Sequence, residues 1–162
     1  YHYDHSPREV QKEVFALQWE LAATRHLPAV VHIREAFDDF FDLIKQLKTP
    51  PRVLLHCFSG GLDRARQSLD LNFDFSIGGA LTFQKNEEGR QVFSFIPLDH
   101  IHLETDCPYL APAPLRGKRC DPTLMIHSFH KLCQIRQADP AAVESHLTEN
   151  AQRFFGPRLT LS

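Results

Sequence analysis

The sequence predicts an α/β chain of consecutive strand–helix units around a parallel sheet. Four short apolar runs alternate with stretches of helical periodicity, and strands joined through helices run parallel. Three of those strand segments lead into a metal-ligating residue type, at His32, His56 and Asp106. Hydrophobic residues make up 43% and charged residues 23% of the 162, which is enough apolar side chain for one packed core.

In chain order, the first helix is expected from about Ser6 to His26. Ser6 is its expected cap, Pro7 suits the first turn and Glu9 sits at the capping-box position. Val10, Val14, Leu17 and Leu21 form its expected apolar stripe, and Trp19 is expected to pack. Ala29 to Ile33 reads as a buried strand. Glu35 to Leu47 reads as a helix whose inner face is Phe37, Phe40, Phe41, Ile44 and Leu47, ended by Thr49-Pro50-Pro51. The pattern repeats as strand 53–56, helix 62–71, strand 73–77, helix 87–95 and strand 101–104. The stretch 108–122, with Pro108, Pro112, Pro114 and Pro122, lacks periodicity and reads as a functional loop. Helices over 123–137 and 140–148 finish the chain. Such units make either an open doubly wound sheet or a barrel, and the polar residues at the strand ends favour the barrel.

Composition narrows the function. No run of about 18 apolar residues occurs, which argues against a helical membrane span. The start of the chain has no basic stretch followed by an apolar one, so no secretory signal is visible, and it has no initiator Met. The four cysteines form no Cys-x-x-Cys pair and are expected to be reduced thiols of a cytoplasmic protein. The net charge of −2 does not suit a non-specific grip on long duplex. Any nucleic acid would be held locally, at a few phosphates.

In parallel α/β architectures the carboxyl ends of the strands face the active site. His32, His56 and Asp106 are therefore the candidate metal ligands. Side-chain alternation puts Val30 with His32 on the inner face and leaves Val31 and Ile33 facing the helices. The same parity groups Leu54 with His56, and His102 and Glu104 with Asp106. Glu104 is either a group that orients a ligating histidine or the partner of a buried Arg or Lys. A metal-free reading also exists, because His56, Ser59 and Asp106 contain the ingredients of a nucleophilic triad. No Gly-x-Ser-x-Gly elbow supports it.

Several segments together resemble one family. Val31-His32-Ile33-Arg34-Glu35-Ala36, His56-Cys57-Phe58-Ser59-Gly60 and Leu103-Glu104-Thr105-Asp106-Cys107-Pro108 are similar, in order and spacing, to motifs of TatD-type deoxyribonucleases. Phe75-Ser76-Ile77-Gly78-Gly79, the basic stretch Arg116-Gly117-Lys118-Arg119 and Asn150-Ala151-Gln152-Arg153-Phe154-Phe155 extend the likeness over nearly the whole chain. Cys120 stands where that pattern has Asn.

The resemblance implies a TIM-type (β/α) barrel of which 1–162 is a single domain carrying the last four strands. It also implies that the barrel's N-terminal half is missing, with its His-x-His pair and its metal-bridging Glu. Tyr1 to His5 resembles the stretch after that Glu, so His2, Asp4 and His5 read as loop residues. The implied activity is hydrolysis of DNA phosphodiester bonds with two divalent cations (Zn, Mn, Co, Fe or Mg) and a metal-activated water. His32 and His56 would hold one ion. Asp106 would hold the other and take the water's proton, while Arg34 and Arg119 would bind substrate phosphate, as Lys118 would. Two further readings remain: a truncated or degenerate homologue without activity, and a hydrolase of a small ester, amide or lactone. Open sheet edges would also favour self-association.

Overall fold

The computed structural model describes residues 1–47 and 50–156. Its elements follow the strand–helix rhythm: α1 (Arg8–Thr24), β1 (Ala29–His32), α2 (Phe37–Ile44), β2 (Val53–His56), α3 (Gly61–Asp70), β3 (Asp74–Ile77), α4 (Glu87–Phe95), β4 (Ile101–Leu103), α5 (Met125–Arg136) and α6 (Pro140–Phe155). The four strands form one sheet in the order β1-β2-β3-β4, every pair parallel. A doubly wound sheet reverses its order at a switch point. This one never reverses, so it winds in the single sense of a (β/α) barrel.

The core lies between the outer face of the sheet and the helices. Val31, Ile33, Val53, Leu55, Phe75, Ile77 and Ile101 from the strands meet Phe40, Phe41, Phe58, Val92, Phe93, Leu132 and Val143. The α2 face is the one the periodicity marks, with Phe37, Ile44 and Leu47 packed against the same cluster. Thr49, in the expected helix stop, falls outside the described residues.

Helix α1 departs from expectation. Its N-cap is Pro7, no side chain caps it, and Ser6 is not its boundary. The stripe of Val10, Val14, Leu17 and Leu21 is exposed. Phe15 and Trp19 make the contact instead, one turn apart, against Phe40. Two aromatic rings bury more surface than the valines would, and they fix the helix's rotation. Helix α6 runs beyond the expected 148 to Phe155, and its buried Asn150 donates to Leu98 O at 2.7 Å and Ile101 O at 2.8 Å. That amide ties α6 to the start of β4.

A buried polar cluster sits at the opposite end of the sheet from the strand tips. Asp74 opens β3 and accepts from His100 Nδ1 at 2.9 Å and from His102 Nε2 at 3.1 Å. Burial opposes its ionisation. Hydrogen bonding from His102, with the charges of His102, Arg153 and His100, outweighs burial and holds the carboxyl below its usual range. The folded pKa therefore lies under the unfolded value of about 3.9. The stabilisation is complete above that value and is lost as pH falls through the folded pKa. Urea unfolding across this range should show stability dropping below about pH 4. Asp74→Asn should cost about 2 kcal/mol at neutral pH and lose part of that acid slope. Identical slopes for the two proteins would contradict the assignment.

Candidate active site at the strand tips

The register places the site. His32 is the Cα partner of His56, so β1 and β2 end level. Ser76 is the partner of His102, and Glu104 N donates to Ile77 O at 3.2 Å, carrying the β4 backbone one step past its strand. Val31 and Ile33 are buried toward the helices, while Val30 and His32 are open to the other face. Val30, Leu54, Ser76, His102 and Glu104 line one cavity of about 720 Å³, bounded on another side by Ile126, Phe129 and Phe155. The alternation read from the sequence for β1, β2 and β4 therefore holds at Val30, Leu54, His102 and Glu104, and β3 follows it with Ser76.

Glu104 is the hub of the site. Its Oε2 accepts from His56 Nδ1 at 2.5 Å and from Ser76 Oγ at 2.6 Å. Ser76 Oγ also accepts from Cys57 N at 3.2 Å. A carboxylate only accepts, so His56 carries its proton on Nδ1 and presents the Nε2 lone pair outward. That Nε2 lies 3.6 Å from Asp106 Oδ1. The His32 ring is 5.6 Å, centroid to centroid, from the His56 ring. Burial, then the neighbouring His56, pushes the His32 pKa down, which keeps the imidazole neutral and able to donate a lone pair. Burial, with Glu104 and Asp106 beside it, pushes the Cys57 thiol up to about 12. Cys57 is thus a thiol here, not a thiolate ligand.

The donor set fits part of a cation's coordination shell. Two ligand atoms each about 2.1 Å from one tetrahedral cation lie about 3.4 Å apart, close to the His56–Asp106 separation. Glu104 supplies the outer carboxylate that metal-binding histidines require, and its Oε1 is buried without a partner. Among the described residues, however, no group of three or more His, Cys, Asp and Glu side chains is arranged to hold a metal ion. The donors described would make one edge of a shell rather than a closed one.

The remaining expected residues are placed as follows. Arg34 is exposed and its guanidinium lies over the Tyr3 ring at 5.6 Å. Arg119 lines a cleft with Cys107 and Pro108, the residues that follow Asp106. His2 pairs with Glu35 at 2.6 Å, away from a cluster with Asp4 and His5. Both His56 ring nitrogens face carboxylates, Glu104 and Asp106, so His56 has no nitrogen left for Ser59 and the triad is not assembled. Ser76 and Asp74 were not singled out by sequence reasoning. The parity of β3 puts both on the inner face, and that was the available signal. Glu104→Ala should shift His56 from the Nδ1–H tautomer toward Nε2–H, read by long-range ¹H–¹⁵N correlation. An unchanged tautomer would remove Glu104 from this role.

Comparison with known proteins bears on the fold and the family. The family model described as "TatD related DNase" matches residues 1–156. The metal-dependent hydrolase YabD of Bacillus subtilis, described as uncharacterized, is 36% identical over 156 residues, which is 96% of this chain and 61% of that protein. The TatD hydrolase of Mycobacterium tuberculosis, likewise uncharacterized, is 33% identical over 147 residues, 91% of this chain and 56% of its own. The crystal structure of YjjV, a TatD homologue from Escherichia coli K12, superposes with a TM-score of 0.84 at 28% identity, covering 91% of this chain and 57% of that one. An amidohydrolase structure from Saccharomyces cerevisiae shares the fold, at a TM-score of 0.80 and 17% identity. The chain thus spans 61% of the length of the first of these relatives. With strand order, site parity and family match in agreement over residues 1–156, the chain belongs to the TatD-related DNase family.

Proposed function

We propose that this chain supplies part of the divalent-cation site of a TatD-type metal-dependent hydrolase, and that the whole protein cleaves DNA phosphodiester bonds. The observation that carries the reading is the pairing of His56 Nε2 with Asp106 Oδ1 at 3.6 Å, with Glu104 fixing His56 from behind. His56 Nε2 and Asp106 Oδ1, 3.6 Å apart, would hold one cation between them, and His32 would present a second imidazole beside His56. A bound divalent cation supplies Lewis acidity, acidifying a water and offsetting charge on the phosphate. The chain's own groups do the rest. Asp106, its side chain 42% exposed, accepts the proton of the attacking water. Arg34 and Arg119 orient the phosphate through forked donors. The net charge of −2 on this chain favours local contact at a few phosphates over a grip along duplex, and the free cysteines suit a cytoplasmic setting. No helix among the described residues is long and apolar enough to cross a membrane.

Metal binding and turnover are tested separately. Cobalt(II) added to the chain should give a ligand-field spectrum. His56→Ala or Asp106→Ala should abolish it, and Glu104→Gln should weaken binding by about 10–100-fold. Release of nucleotides from end-labelled DNA should require a divalent cation and stop with a chelator. Wild-type binding by both alanine variants would refute the ligand assignment. Chelator-resistant cleavage would refute the mechanism.

The second partner in this reading is another copy of the chain. Among the described residues β1 and β4 each pair on one side only. Unpaired strand edges recruit other strands. Val10, Val14, Leu17, Leu21 and Val30 are exposed near the β1 edge, as are Ile126 and Phe155 on α5 and α6. Sedimentation equilibrium should therefore show a concentration-dependent dimer, and a monomer at every concentration would refute this partner.

A further inference from the structure

The loop leaving β4 closes on itself through two cysteines that the hydrolytic reading does not use. Cys107 follows Asp106, and Cys120 ends the basic stretch Arg116-Gly117-Lys118-Arg119. The backbone brings the two ends together, because Cys120 N donates to Pro108 O at 3.0 Å. The Cys107 and Cys120 side chains line the same cleft, together with Arg119, and the Cys120 thiol donates to Asp121 O at 3.7 Å. Both are free thiols, Cys107 exposed and Cys120 3% exposed. An accessible thiol beside a sheltered partner is the arrangement of a sensor cysteine and its resolving cysteine. The other two thiols differ in their surroundings, Cys57 behind the site and Cys133 buried on α5.

We propose that Cys107 and Cys120 form a reversible disulfide that fixes the loop carrying Arg119 beside Asp106. The oxidant is a small-molecule disulfide such as oxidised glutathione. Cys107 attacks it, forming a mixed disulfide and releasing one glutathione thiol. Cys120 then attacks the Cys107 sulfur, the Cys107–glutathione bond breaks, and the second glutathione leaves as a thiol. Two protein thiols are oxidised, one glutathione disulfide is reduced, and the two hydrogens end on the two glutathiones. With the backbone already joined at Cys120 N–Pro108 O and both side chains in one cleft, side-chain rotation brings the sulfurs toward the bonded distance of about 2.05 Å. The crosslink removes conformations from the segment between them. That segment is also held near its middle, where Ala113 N donates to Thr82 Oγ1 at 2.8 Å. Lys118 and Arg119 are exposed in between, so the bond restricts the basic side chains. Control of substrate by this bond rests on the phosphate-binding reading above; formation of the bond does not.

The experiment is redox peptide mapping of the whole chain. The protein is incubated with oxidised glutathione, denatured, alkylated with iodoacetamide and digested. The expected result is two alkylated cysteines, Cys57 and Cys133, in place of the four free ones. The peptides of Cys107 and Cys120 should be joined and lighter by two hydrogens, and dithiothreitol should restore four tags. Cys107→Ser, at an exposed position, should fold as wild type by circular dichroism and lose the linked peptide. Hydrogen exchange across 109–119 should slow on oxidation of the wild type only. Four tags after oxidation, a link involving Cys57 or Cys133, or arrest at a Cys107–glutathione adduct would each overturn the proposal. Because the readout is mass, its failure is separate from any failure of nuclease activity.

Discussion

The site depends on one carboxylate being held across three strands. Glu104 leaves the end of β4, takes a hydroxyl from Ser76 on β3 and an imidazole N–H from His56 on β2. None of these contacts is local in sequence; they exist because the parallel register is fixed along the whole sheet. A slip of one residue in any strand would turn its side chains to the opposite face, and Glu104 would then meet Phe75 or Ile77 rather than Ser76. The register is in turn secured by burial. Val53, Leu55, Phe75, Ile77 and Ile101 are at most 2% exposed on the helix side, so a slip would bring apolar side chains out of the core at several kcal/mol in all. Core packing on one face of the sheet thereby sets the geometry of the chemistry on the other.

Much of this arrangement was legible in the sequence because it rests on period two. His32 and His56 end β1 and β2 level, as strand termination predicts, and Val30, Leu54 and Glu104 line one cavity, as alternation predicts. What stayed hidden has a common cause. Ser76 and Asp74 matter through partners 26 to 28 residues away, and nothing in their own neighbourhood distinguishes them from ordinary polar strand residues. The α1 stripe failed differently. Periodicity reports that a helix has an apolar side, but Val10, Val14, Leu17 and Leu21 compete with Phe15 and Trp19 for the core, and the aromatics win. Ser6 lost its capping role because the turn is made by Pro7. Cys107 is exposed because the chain has already left the sheet at that point.

The helices after β4 do more than cover the core. Asn150 of α6 satisfies the Leu98 and Ile101 carbonyls at the entrance of β4. Arg136 of α5 donates to Ser94 O at 2.5 Å and Ile96 O at 2.9 Å, where α4 ends. Unpaired carbonyls at such junctions are costly when buried. The last third of the chain thus anchors the strand that bears Glu104 and Asp106, which links distant α6 to the orientation of His56.

The Asp74–His100–His102 cluster and the His56–Glu104–Asp106 tips occupy opposite ends of strands only a few residues long. A rise of about 3.3 Å per residue leaves on the order of 10 Å between them. The foot holds the sheet together and the rim carries the candidate site, each through its own histidines and acids. Acid tolerance and reaction pH can therefore drift independently in this scaffold, so that a lineage moving to a more acidic habitat could reinforce the base while leaving the business end untouched.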